Sequence, residues 1–112
     1  MNRGEVWWAS LPDATGSSPG YRRPVLVMQS NAFNKSNIQT IIVLVITTNL
    51  KLADAPGNVT ISKQQSGLPR DSVINISQLV TVDKGFLTDF VSTLSVRNIQ
   101  KVEQGLRLVL SL

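Results

Sequence analysis

The sequence predicts a small, mainly β domain, a barrel or curled antiparallel sheet finished by one C-terminal helix. Three observations predict it. Six short segments rich in β-branched and aromatic residues follow one another, separated by turn signals. After residue 95 the apolar period changes from that of a strand to that of a helix. At 112 residues the chain suits a single core, so one domain spanning 1–112 is expected.

Residues 3–10, Arg-Gly-Glu-Val-Trp-Trp-Ala-Ser, read as the first strand, whose alternation sends Trp7 and Trp8 to opposite faces. Residues 11–22 are rich in Gly, Pro and Ser and form a loop, long for a hairpin connection and of the kind that covers binding sites. Pro24–Ser30 and Gln39–Thr47 are near-continuous apolar runs, the pattern of strands buried on both faces. The polar connector Asn31–Asn37 suits a short helical turn. Residues 50–57, with Pro56-Gly57, form a second loop. A short strand at Asn58–Ser62 follows, then a turn at Gly67-Leu68-Pro69, a fifth strand at Asp71–Ser77 that continues extended through Val82, and a last strand at Phe90–Leu94. Val96, Ile99, Val102, Leu106, Val109 and Leu110 then recur at helical spacing behind Ser95, a suitable N-cap.

Composition narrows function. The chain has no cysteine, which excludes disulfides and thiolate metal sites and fits a reducing cytoplasm. It has no histidine either. With neither residue, no side chain titrates near neutrality at its ordinary pKa, and paired-imidazole nucleases, Ser-His-Asp hydrolases and cysteine proteases are excluded. A net charge of +4 favours an anionic partner such as nucleic acid. The longest strongly apolar run, Ile41–Ile46, is far too short for a membrane span, and no secretion signal opens the chain. The seven carboxylates are scattered singly, so no metal site and no cofactor is expected.

Catalysis must then rest on arginine, hydroxyls or a perturbed carboxylate. Arg23 is the leading candidate. Pro24 pushes it into an extended conformation and should begin the second strand, leaving Arg23 at a loop–strand junction with its guanidinium fork available to a phosphate. Where the third strand ends, at Ile46-Thr47-Thr48-Asn49, apolar residues give way to hydroxyls. Tyr21, Arg22 and the outward tryptophan could stack on or read unpaired bases.

Four stretches in register then carry a resemblance: Arg3-Gly4-Glu5-Val6-Trp7, Gly16-Ser17 through Arg23-Pro24-Val25-Leu26-Val27, Ile46-Thr47, and Arg70-Asp71-Ser72-Val73 with Gln78. Together they span nearly the whole chain. The sequence resembles the MazF/PemK family of toxin endoribonucleases from bacterial toxin–antitoxin modules.

The resemblance implies an SH3-like barrel with a C-terminal helix, a homodimer that cuts single-stranded RNA at short sequences without a metal, and a cognate antitoxin that blocks it and with it binds DNA. It implies Arg23 and Thr47 as the reactive pair. More loosely it carries RNA contacts onto Arg3, Ser17 and the loop around it including Ser18, and Gln78. Two departures stand out. Many members have a glutamate where this chain has Ser18. One branch uses an Arg and an Asp on the fifth strand where Asn75 and Ser77 stand here, which moves the weight onto Arg23 and Thr47. A related fold serves toxins that trap a topoisomerase through a C-terminal Trp-Gly-type end. This chain ends Leu108-Val109-Leu110-Ser111-Leu112, without tryptophan. A catalytically silent RNA-binding relative is the remaining reading.

Overall fold

The computed structural model describes residues 1–11 and 21–112. Its elements are β1 (Glu5–Leu11), β2 (Tyr21–Val27), α1 (Asn31–Asn34), β3 (Thr40–Thr47), β4 (Val59–Ile61), α2 (Lys63–Ser66), β5 (Ser72–Asp83), β6 (Leu87–Thr93) and α3 (Val96–Leu110). Single 3₁₀ turns at Leu50–Asp54 and Lys84–Phe86 join neighbours. The strands form one antiparallel sheet in the order β4-β5-β3-β2-β1-β6. It curls into a half-barrel, with irregular register where β1 meets β6 and where β3 meets β5, because bulges bend a sheet.

Alternation divides the apolar residues of β1, β2 and β3 between two cores. Val6, Leu26, Leu44 and Ile46 face one side, where Ile74, Ile76, Leu94 and Val102 of α3 close over them. Ala9, Val25, Val27, Val43 and Val45 face the other, with Ile41 and Leu87. This two-sided burial explains the unbroken apolar runs of β2 and β3. The tryptophans do take opposite faces, Trp8 against the first core and Trp7 against the second, but both are half-buried, so neither is wholly core.

The final helix begins at the expected cap: Ser95 Oγ accepts the N–H of Asn98 at 3.2 Å. Only its middle is buried. Ile99, Val102 and Leu106 pack on the core, whereas Val96, Val109 and Leu110 of the same apolar stripe are exposed. Gly105 lets the helix touch the β4 side, since a Cβ there would lie 2.3 Å from the Gly57 carbonyl oxygen. At the start of β1, Arg3 Nε donates to the Met28 carbonyl at 3.1 Å, and its Nη2 meets Glu103 Oε2 of α3 at 3.0 Å. The helix is therefore pinned at two places. No helix among the described residues is long and apolar enough to cross a membrane.

One boundary differs from expectation in a way that matters. β2 begins at Tyr21, three residues before Pro24, because β1 runs on to Leu11 and pairs with Tyr21, Arg22, Arg23 and Pro24. Arg23 is thus inside a strand, not at a loop–strand junction. Proline is accommodated there because β3 has already left β2, and Pro24 lies on a local edge of the sheet.

Candidate active-site cleft

β2 and β3 pair only through Val25–Val45, Leu26–Leu44 and Val27–Val43. Beyond Val25 the two strands part: Tyr21–Pro24 pair with β1 alone, while Ile46 and Thr47 pair with β5 alone. Between them opens a cleft of about 390 Å³, lined by Trp8, Tyr21, Arg22, Arg23, Pro24, Ile46 and Thr48. Pro24 and Ile46 give it an apolar part, and Arg22, Arg23, Tyr21 and Thr48 add two guanidinium groups and two hydroxyls.

Continuing the β2–β3 register outward from Val25–Val45 places Arg23 across from Thr47, on the same face of the sheet. Arg23 is half-buried, and its guanidinium carbon lies 5.2 Å from the centre of the Tyr21 ring. Among the described residues no carboxylate pairs with it; the two ion pairs there belong to Arg3 and Arg22. Thr47 is 8% exposed, and its Oγ1 accepts the N–H of Asn49 at 3.1 Å. That bond occupies one lone pair of the hydroxyl and leaves its proton free to donate.

Arg22, one residue away, points to the other face and is differently held. Its guanidinium carbon sits 4.4 Å from the centre of the Trp8 ring, and Nη2 is 2.7 Å from Asp89 Oδ2 on β6. The hydrogen bond from Arg22, aided by one from Thr88, holds the Asp89 carboxyl below its ordinary pKa.

Gln78 stands where β5 is most irregular. Between the pairs Leu44–Leu79 and Ile46–Ile74, four residues, Asn75 to Gln78, face the single residue Val45. Within that bulge Asn75 Nδ2 donates to Gln78 Oε1 at 2.9 Å, Ser77 Oγ donates to Asn75 Oδ1 at 3.2 Å, and Asn58 Oδ1 accepts the N–H of Ile76 at 2.9 Å. The bulge borders β3 on the side away from β2, near Thr47. Arg3 is at the far end of β1 from the cleft, engaged as described with Met28 and Glu103. Ser17 and Ser18 lie outside the described residues. The structure thus brings together Tyr21, Arg22, Arg23 and the end of β3, and it does not bring Arg3 to them.

The chain matches, over residues 2–110, the family described as PemK-like, MazF-like toxin of type II toxin–antitoxin system. The chain belongs to this family. It is 46% identical to Endoribonuclease MazF6 of Mycobacterium tuberculosis across 112 residues, all of this chain and 98% of that protein. Endoribonuclease EndoA of Bacillus subtilis is 38% identical over all of this chain and 96% of its own length. Among solved structures, an endoribonuclease in complex with its cognate antitoxin from a mycobacterial species superposes with a TM-score of 0.79, at 21% identity, covering 100% of this chain and 96% of that one. A MazE–MazF structure from Deinococcus radiodurans gives 0.81 at 19% identity, covering 100% and 96%. At these identities the structural likeness is one of fold, a curled half-barrel with a C-terminal helix.

In this MazF-like toxin, three cleft features escape a reading of the sequence. Thr48, just past the end of β3, lines the cleft directly, whereas Thr47, on the same face as Arg23, is not among its lining residues. Asp89 is 67 residues from Arg22 and reaches it only because β6 pairs with β1, Trp8 opposite Asp89. Nothing local in the sequence marks that partnership. Ile46 reads as an ordinary strand residue and lines the cleft only because β2 departs beside it.

Proposed function

We propose that this toxin is a sequence-specific endoribonuclease of single-stranded RNA, acting in the cytoplasm as a homodimer and held inactive by a cognate antitoxin. Family membership supports the enzyme class, and the observation that carries the site assignment is the parting of β2 and β3. It leaves a guanidinium without a carboxylate partner among the described residues, in register with a threonine hydroxyl that retains a free proton.

RNA brings its own nucleophile. The 2′-hydroxyl oxygen attacks the adjacent phosphorus, the bond from phosphorus to the 5′ oxygen breaks, and a 2′,3′-cyclic phosphate and a 5′-hydroxyl result. One proton leaves the 2′ oxygen and one is gained by the 5′ oxygen. Negative charge builds on the non-bridging oxygens in between. Arg23 is assigned to that charge, because preorganised donors aimed at developing charge are usually a major part of catalysis. Thr47, too weak an acid or base for proton transfer near neutral pH, is assigned to donate to a phosphate oxygen. Tyr21, Arg22, Gln78, Ser17 and Ser18 are the remaining candidates for RNA contact. Arg3, already committed to Met28 and Glu103, is assigned to holding the helix on the sheet.

The test is incubation of a long unstructured RNA with the purified toxin in a chelator, with the new ends mapped and their chemistry determined. Cuts at one short sequence ending in cyclic phosphate are expected. Ends bearing a 5′-phosphate, or cutting abolished by the chelator, would contradict the mechanism.

A further inference from the structure

We propose that Arg22, stacked on Trp8 and locked by Asp89, is the platform that holds one unpaired nucleobase of the bound RNA flat while the Thr48 hydroxyl across the cleft reads its edge. The proposal rests on the cleft being an RNA site and adds which residues hold and read a base there.

The two neighbouring arginines differ in what they can recognise. A phosphate contact needs net positive charge, and Arg22 has little to offer: its charge is met by Asp89 at 2.7 Å, and Thr88 Oγ1 lies 3.0 Å from the same carboxylate oxygen. A phosphate approaching Arg22 would also approach that carboxylate. A stacking platform needs a flat surface held in one orientation, and Arg22 offers it. Trp8 on β1 stands opposite Pro24 on β2 and opposite Asp89 on β6, so all three side chains share a face, and Arg22 reaches Trp8 diagonally. The indole covers one side of the guanidinium at 4.4 Å, and Asp89 fixes its edge. The Arg22 side chain still exposes 52% of its surface, which leaves its other side as a landing area. Arginine planes and aromatic rings are the surfaces on which proteins stack unpaired bases. A structural purpose alone explains the pair poorly, because ion pairs this exposed add little stability. The cleft volume of about 390 Å³, with Thr48 across from the platform, gives one nucleotide room and a hydroxyl to meet its edge.

The experiment uses a randomised pool of single-stranded 2′-O-methyl RNA, which cannot be cut and so separates this proposal from the nuclease reading. The wild-type toxin, Arg22→Lys and Asp89→Asn select from the pool at two salt concentrations, and the bound fractions are sequenced, with thermal melting confirming that each variant is folded. The wild type should enrich one base at one position by roughly two- to tenfold, the worth of one hydrogen bond to a base edge, since stacking by itself accepts any base. Arg22→Lys, which keeps the charge and loses the plane, should flatten that position while leaving the salt dependence unchanged, and Asp89→Asn should weaken the enrichment less. An unchanged preference in Arg22→Lys, or no preference in the wild type, would overturn the proposal. So would weaker binding of all sequences alike by Arg22→Lys or Asp89→Asn with an altered salt slope, because that is the behaviour of a phosphate contact.

Discussion

The two ends of β1 each neighbour an arginine, and they use it in opposite ways. Arg3 at one end donates to the Met28 carbonyl and pairs with Glu103, so its guanidinium joins β1, the end of β2 and α3. Arg23, across from Ala9 near the other end, meets no carboxylate among the described residues and borders an open cleft. The same side chain is a fastener where strands and helix converge and, under the proposed function, a reagent where strands part. Charge alone does not distinguish them; the partners do. A catalytic guanidinium must be held by its backbone and packing while its donors stay available to substrate, a condition that Arg23 meets among the described residues and Arg3 does not.

That contrast can be broken in order of effect. Arg23→Ala should lower RNA cleavage by roughly a hundredfold to a thousandfold, the usual consequence of removing one donor to developing charge, with the melting temperature nearly unchanged. Thr47→Val keeps the β-branched shape and removes the proton that would reach phosphate. It should cost cleavage less than Arg23→Ala, measured on the same RNA, together with some stability from the lost bond to the Asn49 N–H. On the fastened side, Gly105→Ala places a methyl 2.3 Å from the Gly57 carbonyl oxygen. Overpacking of this kind should destabilise by about 1–3 kcal/mol despite the better helix propensity of alanine, and calorimetry would show the drop. Arg3→Ala should cost about 1–2 kcal/mol through the lost bonds to Met28 and Glu103, part of it screened by solvent.

The smallest effect concerns Glu5, at the same fastened end. Burial raises its pKa, but N–H donors from Asn2 and the Trp7 indole, with the N-terminal charge, outweigh that and leave it lowered. A carboxylate lowered on folding contributes stability that is present above its unfolded pKa and lost as pH falls through its folded one. Glu5→Gln should therefore reduce stability at neutral pH and soften the acid-induced loss, by less than Arg3→Ala costs. Melting curves between pH 3 and 7 would show it.

Most of the fold was legible in the sequence. Alternation and turn residues located six strands, and the change of period with Ser95 located the helix. The unbroken apolar runs of β2 and β3 announced burial on both faces, as the two cores require. What was not legible depended on partners distant in sequence. The start of β2 moved from Pro24 to Tyr21 because β1 reaches Leu11 and recruits the preceding residues, which no local signal in Tyr-Arg-Arg states. The outer residues of the helix stripe are exposed because only Ile99, Val102 and Leu106 meet the core. The small helix Lys63–Ser66 was missed although Ser62 and Gln65 form a capping box, a signal that was available. For the cleft, Arg23 and Thr47 stood out by type and by resemblance. The cleft itself arises from where β3 leaves β2, and the Trp8–Arg22–Asp89 stack depends on three strands meeting, so neither could be read from one segment.

The most direct test sets the two arginines against each other: Arg23→Ala and Arg3→Ala, each assayed for cleavage of one unstructured RNA in a chelator and for melting temperature. The account predicts that Arg23→Ala loses cleavage and keeps its melting point, while Arg3→Ala melts lower and, well below its melting point, cuts at close to the wild-type rate. Cleavage surviving in Arg23→Ala, or lost in folded Arg3→Ala, would contradict it.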